Sequence, residues 1–179
     1  MMDKQFFDDT EKVCWEKLEE FNNKTHVFDS ITRTIKKYHT DGTGYTTNRF
    51  GETRYFNIEL KNRNQLLLDN GKISGHSETS NRDYIDDNIF IESHKVADML
   101  LDTINGLEPI YINFLLDGNT VIFNLNKLTK RPLKTGYMNI KSKGYNKFEM
   151  AKRQGLYLID AAIFNKDGKL IKRSGEDFI

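Results

Sequence analysis

The stretch "YFNIELKNRN", Tyr55 to Asn64, sets a carboxylate and an ammonium two residues apart. In a strand, with its period of two, Phe56, Ile58 and Leu60 turn one way and Asn57, Glu59 and Lys61 the other. At about 3.3 Å of rise per residue, Glu59 and Lys61 stand roughly 6–7 Å apart. That spacing suits a carboxylate holding a divalent metal beside an ammonium that reaches an attacking water. It equally suits a half-exposed strand whose polar side carries an ordinary ion pair, which contributes little to stability. The choice depends on what other groups the fold delivers to the same face.

A second acid comes from a helix through "EKVCWEKLEEF", for which Asp8, Asp9 and Thr10 offer capping oxygens. Counting from Glu11, Cys14, Trp15 and Leu18 fall at i+3, i+4 and i+7, so Glu11 lies on the apolar stripe. An acid there is costly unless something pairs with it or the helix end is frayed and wet. A third acid, Asp41, opens the turn-rich "DGTGYTTNRFGETR", which follows a β-branched strand in "HVFDSITRTI" and leads into the Tyr55–Lys61 strand.

Beyond this strand, "NQLLLDNGKISGHSETSNRDYIDD" reads as a mobile loop with some local structure. "NIFIE" is a short strand, and "SHKVADMLLDTI" a helix buried through Val96, Met99, Leu100 and Ile104. "PIYINFLLDGNTVIFNLNKL" is a hairpin turned at Asp117-Gly118. A helix around Lys147–Arg153, ended by Gly155, precedes the strand "LYLIDAAIF" and a turn at Asp167-Gly168 into a last short strand. These elements describe a single α/β domain over residues 1–179, a mixed central β-sheet flanked by helices. Its core runs over about 9–125 and a basic C-terminal extension over about 126–179.

At 179 residues, 37% hydrophobic and 30% charged, the chain is long enough for a proper core without a staple. One cysteine, Cys14, excludes a disulfide framework and a cysteine-based zinc site. The opening "MMDKQFFDDTEK" is acidic and lacks the apolar region of a signal peptide, and no run is long enough for a membrane span. A cytoplasmic protein is expected. Abundant asparagine and lysine with scarce alanine and proline hint at an AT-rich host or phage genome. The four histidines show no metal-ligand spacing, and no phosphate-binding, nucleophile-elbow or dinucleotide fingerprint is present.

Net charge is +1 overall, yet from Lys127 to Arg153 nine basic residues face one acid, Glu149. That segment carries +8 and the remainder −7. With Tyr137, Tyr145 and Phe148 interspersed, it suits a nucleic-acid backbone with some base stacking, or simply a solvated basic surface. Lys141, Lys143 and Lys147 are its candidate contacts. Arg63, Asn64 and Gln65, continuing from the Glu59 strand, are candidate phosphate contacts or an exposed loop. Lys95, opening the next helix, either reaches phosphate or is a surface lysine.

Glu11, Asp41 and Glu59-Leu60-Lys61, in that order, resemble the PD-(D/E)XK nuclease superfamily of restriction endonucleases and Holliday-junction resolvases. The resemblance covers roughly residues 9–125 and departs where Thr40-Asp41 replaces proline-aspartate, with Asp29 the rival aspartate. It implies a restriction endonuclease-like core and an Mg²⁺- or Mn²⁺-dependent deoxyribonuclease. Asp41, Glu59 and the Leu60 carbonyl would be metal ligands, with Glu11 on the metal or a metal-bound water. Lys61 would orient the attacking water or neutralise developing charge. The partner would be nucleic acid, in the first place DNA, and a homodimer is plausible because one small domain cuts one strand per site. The alternative is a non-catalytic nucleic-acid- or protein-binding module on the same fold.

Overall fold

The computed structural model describes residues 3–34, 40–77, 82–129, 134–141 and 148–172, with side chains over 11–34, 40–76, 82–129 and 152–172. A long helix, α1 (Asp3–Thr25), is followed by β1 (Ser30–Arg33), β2 (Gly42–Thr47) and β3 (Thr53–Asn62). Short strands β4 (Gln65–Leu67), β5 (Ile73–Ser77), β6 (Arg82–Asp86) and β7 (Asn88–Glu92) lead to α2 (Ser93–Leu101). Then come β8 (Leu107–Phe114), β9 (Thr120–Asn124), β10 (Lys134–Lys141), β11 (Phe148–Tyr157), β12 (Ala162–Phe164) and β13 (Leu170–Lys172). Among the described residues, no helix is long and apolar enough to cross a membrane.

The main sheet has seven strands in the order β1-β2-β3-β8-β9-β12-β13. Its pairs are antiparallel except β3 with β8, which run parallel with Glu59 opposite Tyr111. A parallel neighbour requires a crossover, and residues between the two strands supply it through α2. The mixed sheet with helices makes this an α/β fold.

Strand alternation divides the interior into two cores. On one face Phe56, Ile58 and Leu60 of β3, with Ile110, Ile112 and Phe114 of β8, meet Cys14, Trp15, Leu18 and Phe21 of α1. On the other face Tyr111, Val121, Phe123 and Ile163 meet Val96 and Met99 of α2 and Ile89, Ile91 and Leu156 of β7 and β11. Trp15 lies so closely over Gly42 that a Cβ there would stand 2.6 Å from its ring, so only glycine fits.

The covering of the second face corrects the half-exposed reading of β3. Asn57 is 1% and Glu59 9% exposed. The Asn57 amide donates to the Met99 carbonyl at 3.2 Å and to Asp102 at 2.9 Å, so the polar side of β3 is buried at Asn57 and Glu59, while Lys61 at its end is exposed. At Asn57 the polar side is polar because it bonds to α2 and Asp102, not because it faces solvent.

Other expectations also change. The helix starts at Asp3, which leaves Asp8, Asp9 and Thr10 inside it rather than capping it. The polar segment after Asn62 contains a three-stranded antiparallel sheet, β4-β5-β6, whose strands are too short to show a clear period. Leu100 and Ile104 are exposed while Val96 and Met99 are buried. Of the expected helix at Lys147–Arg153, Lys147 lies outside the described residues, and Phe148–Arg153 instead belong to β11, which pairs with β10 and β7. Its supposed helix terminator, Gly155, is buried opposite Phe90. Tertiary pairing has overridden local propensity there.

Candidate active site

Antiparallel pairing of Gly42 with Ile58 brings Asp41, one residue earlier, alongside Glu59. The Asp41 Oδ2 atom accepts the Leu60 N–H at 2.7 Å, fastening this carboxylate to the backbone between Glu59 and Lys61. The aspartate and the glutamate-x-lysine stretch are therefore one structural unit. Asp29 belongs elsewhere: its Oδ2 accepts the Thr47 N–H at 2.6 Å, at the opposite end of the β1–β2 ladder.

Both acids are held in an environment that disfavours their charge. Burial raises the Asp41 carboxyl above its ordinary range; the Leu60 hydrogen bond and Lys95 oppose this, while the Glu11 charge adds to it. Burial, and then the Asp41 charge, push Glu59 up to about 7. Lys95 partly relieves Glu59, its Nζ lying 3.0 Å from Oε1 and 3.2 Å from Oε2. Lys95 is thus half-buried rather than a surface lysine. It is the counterion of the central glutamate.

Lys61 follows on the same side of β3. Burial and then the Arg63 charge lower its ammonium pKa, while Glu92 and Glu59 act the other way. A cleft of about 60 Å³ opens here, lined among others by Glu59, Lys61, Arg63, Glu92, Lys95 and Arg153. Four cations and two carboxylates make it a cationic cleft around an acidic centre.

Glu11 sits apart from this centre. Its Oε1 accepts from Arg33, with Nη2 at 2.9 Å and Nε at 3.1 Å. That pair explains how an acid is tolerated on the apolar stripe of α1, and Glu11 reaches Asp41 through its field. Arg63 lines the cleft, but its guanidinium is fastened inward. Its Nε donates to Asn113 at 3.0 Å, and Nη2 donates to the Phe90 carbonyl at 2.5 Å and to the Tyr111 hydroxyl. Gln65 is buried, and its Nε2 donates to the Tyr84 hydroxyl at 2.7 Å, which corrects its reading as an exposed phosphate contact. Lys141 lies on β10 with its side chain outside the described residues, as are Lys143 and Lys147 altogether.

Among the described residues no three His, Cys, Asp or Glu side chains stand grouped as a ready cation cage. The donor chemistry nonetheless suits a hard divalent ion. Two adjacent carboxylates, Glu59 buried and Asp41 half-buried, have their charge disfavoured, and Asp41 accepts the Leu60 N–H. Mg²⁺ commonly takes one or two carboxylates and retains several waters.

Part of the chain resembles a curated enzyme. It is 33% identical over 92 residues to the formate-dependent phosphoribosylglycinamide formyltransferase of Prochlorococcus marinus (strain MIT 9301), a match covering 47% of this chain and 23% of that enzyme. The chain thus spans less than a quarter of that relative's length, and formyl transfer is a property of the relative. No family model matches the chain. No solved structure matches it.

Sequence reading missed the Lys95–Glu59 contact and the delivery of Arg153 to the cleft. The first carried a signal: "NIFIE" running directly into a helix marks the crossover that returns chain to β3. The second carried none, because it depends on β11 pairing with β7.

Proposed function

We propose that this chain is an Mg²⁺- or Mn²⁺-dependent nuclease that hydrolyses phosphodiester bonds in DNA, on a restriction endonuclease-like core. The observation that carries the reading is Asp41 bonded to the Leu60 amide with its carboxylate beside Glu59. The order α1-β1-β2-β3-α2-β8, with β3 and β8 parallel, supports it.

Asp41, Glu59 and the Leu60 carbonyl would hold the metal. The metal, when bound, supplies a Lewis acid for the phosphate and a water of lowered pKa. Around it, Asp41 is oriented by the Leu60 N–H, and Glu59 keeps its place against Lys95. Lys61 presents a donor to the attacking water or to charge developing on phosphate oxygens. Glu11 acts on Asp41 through its charge and would meet the metal or a metal-bound water. Action on DNA fits a cytoplasmic protein of a bacterial or phage-infected cell, and a homodimer would cut both strands.

One observation favours a non-catalytic binding module on the same fold. Lys95 already sits on Glu59, so a permanent internal cation could take the place of a metal. Metal titration distinguishes the two. Mg²⁺ or Mn²⁺ raises the melting temperature of a nuclease, because only the folded state assembles the acids. Glu59→Gln and Asp41→Asn each abolish the rise. A rise that survives both substitutions overturns the site assignment; the absence of any rise in the native protein favours the binding module. Neutralising Lys141, Lys143 and Lys147 together weakens DNA binding and flattens its salt dependence, with the metal response unchanged.

A further inference from the structure

The extension after β9 returns to the site. Strand β11 pairs antiparallel with β7, and Arg153 lies opposite Glu92, the last residue before α2. That register places Arg153 at the end of the sheet where α2 delivers Lys95 and β3 delivers Lys61, and all three line the same cleft.

The four cations there differ in their engagements. Lys95 lies on Glu59. Arg63 is held by Asn113, the Phe90 carbonyl and Tyr111. Lys61 and Arg153 line the same cleft, from β3 and from β11. Glu92 lines the cleft too, stands opposite Arg153 in the strand pairing and faces His94 at 3.5 Å. A compact ammonium and a planar fork in one cleft with the buried Glu59 are a setting for a tetrahedral oxyanion.

We infer that Arg153 is a further catalytic residue, binding the non-bridging oxygens of the scissile phosphate together with Lys61. This rests on the nuclease reading. In the hydrolysis, the water oxygen bonds phosphorus as the bond from phosphorus to the leaving oxygen breaks. The water loses a proton to solvent, the leaving oxygen takes one up, and nothing is oxidised or reduced. Arg153 stabilises the charge gathered on the phosphate throughout. The basic extension therefore contributes to the chemistry as well as to the charge of the surface.

The test compares Arg153→Ala and Arg153→Lys with the native protein and with Lys72→Ala, an exposed turn lysine serving as a charge-loss control. Three quantities are read: Mg²⁺-dependent plasmid nicking resolved into kcat and KM, melting temperature, and binding of a fluorescent single-stranded oligonucleotide in EDTA. Arg153→Ala is expected to lower kcat by about 10²–10³, as loss of one transition-state donor does. Arg153→Lys should recover part of it, both variants should melt near the native temperature, and Lys72→Ala should match the native kcat. An Arg153→Ala variant with native kcat overturns the inference. Should Arg153→Ala melt early, a native kcat in Arg153→Lys overturns the guanidinium role. Should the native protein cut no substrate, the nuclease reading fails and the EDTA arm decides the anion site. A several-fold loss of oligonucleotide affinity in Arg153→Ala, reproduced by competing inorganic phosphate, upholds it; unchanged affinity overturns it.

Discussion

Strand β3 carries an ion pair near each end, and the two are built to opposite specifications. Near its start, Arg54 grips Glu108 of β8 in a bidentate fork, Nε at 2.6 Å and Nη2 at 2.5 Å, and Asn124 adds a donor at 2.8 Å. Those donors outweigh burial and lower the Glu108 carboxyl. Near its end, Glu59 receives Lys95 but also faces Asp41, and its carboxyl is raised to about 7. The first glutamate has all the positive charge it needs. The second is left short of it, a balance that does not serve stability.

Activity gives the largest expected contrast. Lys61→Ala should lower Mg²⁺-dependent nicking by about 10²–10³ while leaving the melting temperature almost unmoved. Lys61→Arg should rescue poorly, since a planar fork does not replace a compact ammonium. Glu108→Ala should do the reverse, with a melting loss and a nicking rate per folded molecule close to native. Equal activity in native protein and Lys61→Ala would remove the catalytic role of the strand.

Stability gives a middle-sized contrast. Removing the Glu108 carboxylate strips Arg54 and Asn124 of their acceptor, at an expected cost of about 1.5–3 kcal/mol in urea unfolding. Glu59→Gln, with metal absent, should cost less, because it relieves the repulsion from Asp41 while giving up the pair with Lys95. If Glu59→Gln proves the more damaging of the two, Glu59 is a structural group.

The smallest contrast is in pH dependence and turns on sign. Burial and the Asp41 charge push Glu59 up to about 7 in the folded state from an ordinary 4.5, so the fold binds its proton more tightly than the unfolded chain does. Its contribution is fully present below about 4.5, declines as pH rises and is gone above about 7. Glu108, lowered from 4.5, contributes stability above that value and loses it as pH falls through its folded pKa. Urea midpoints in EDTA should therefore show Glu59→Gln gaining on the native protein between pH 5 and pH 8. Glu108→Gln should gain on it only as pH falls below about 4.5. Parallel curves for Glu59→Gln and native protein would contradict the raised carboxyl.

The strand reading of Tyr55–Lys61, the hairpin at Asp117-Gly118 and the apolar face of α1 were legible because each is a local period or a local turn. Asp117-Gly118 works as read, with Gly118 at a φ of 84°. The juxtaposition of Asp41 with Glu59 was partly legible, since acids ordered helix–turn–strand suggest convergence. What was hidden depends on partners remote in the chain. Glu11 does not show in its spacing that Arg33 will pair with it. Nor does the run around Arg153 reveal that it will lie beside β7, and its basic residues and Gly155 imitate a helix with a terminator. Gln65, polar and next to a loop, reads as exposed; it is buried because Tyr84 comes over Gly75 to meet it.

The close seat of Trp15 on Gly42 has an optical consequence. Trp15 is the chain's single tryptophan. Its ring is buried against the glycine that follows Asp41. All indole emission from this protein therefore originates one residue along the backbone from a carboxylate of the site. The chain carries its own lamp, fixed on the backbone that sets Asp41 alongside Glu59.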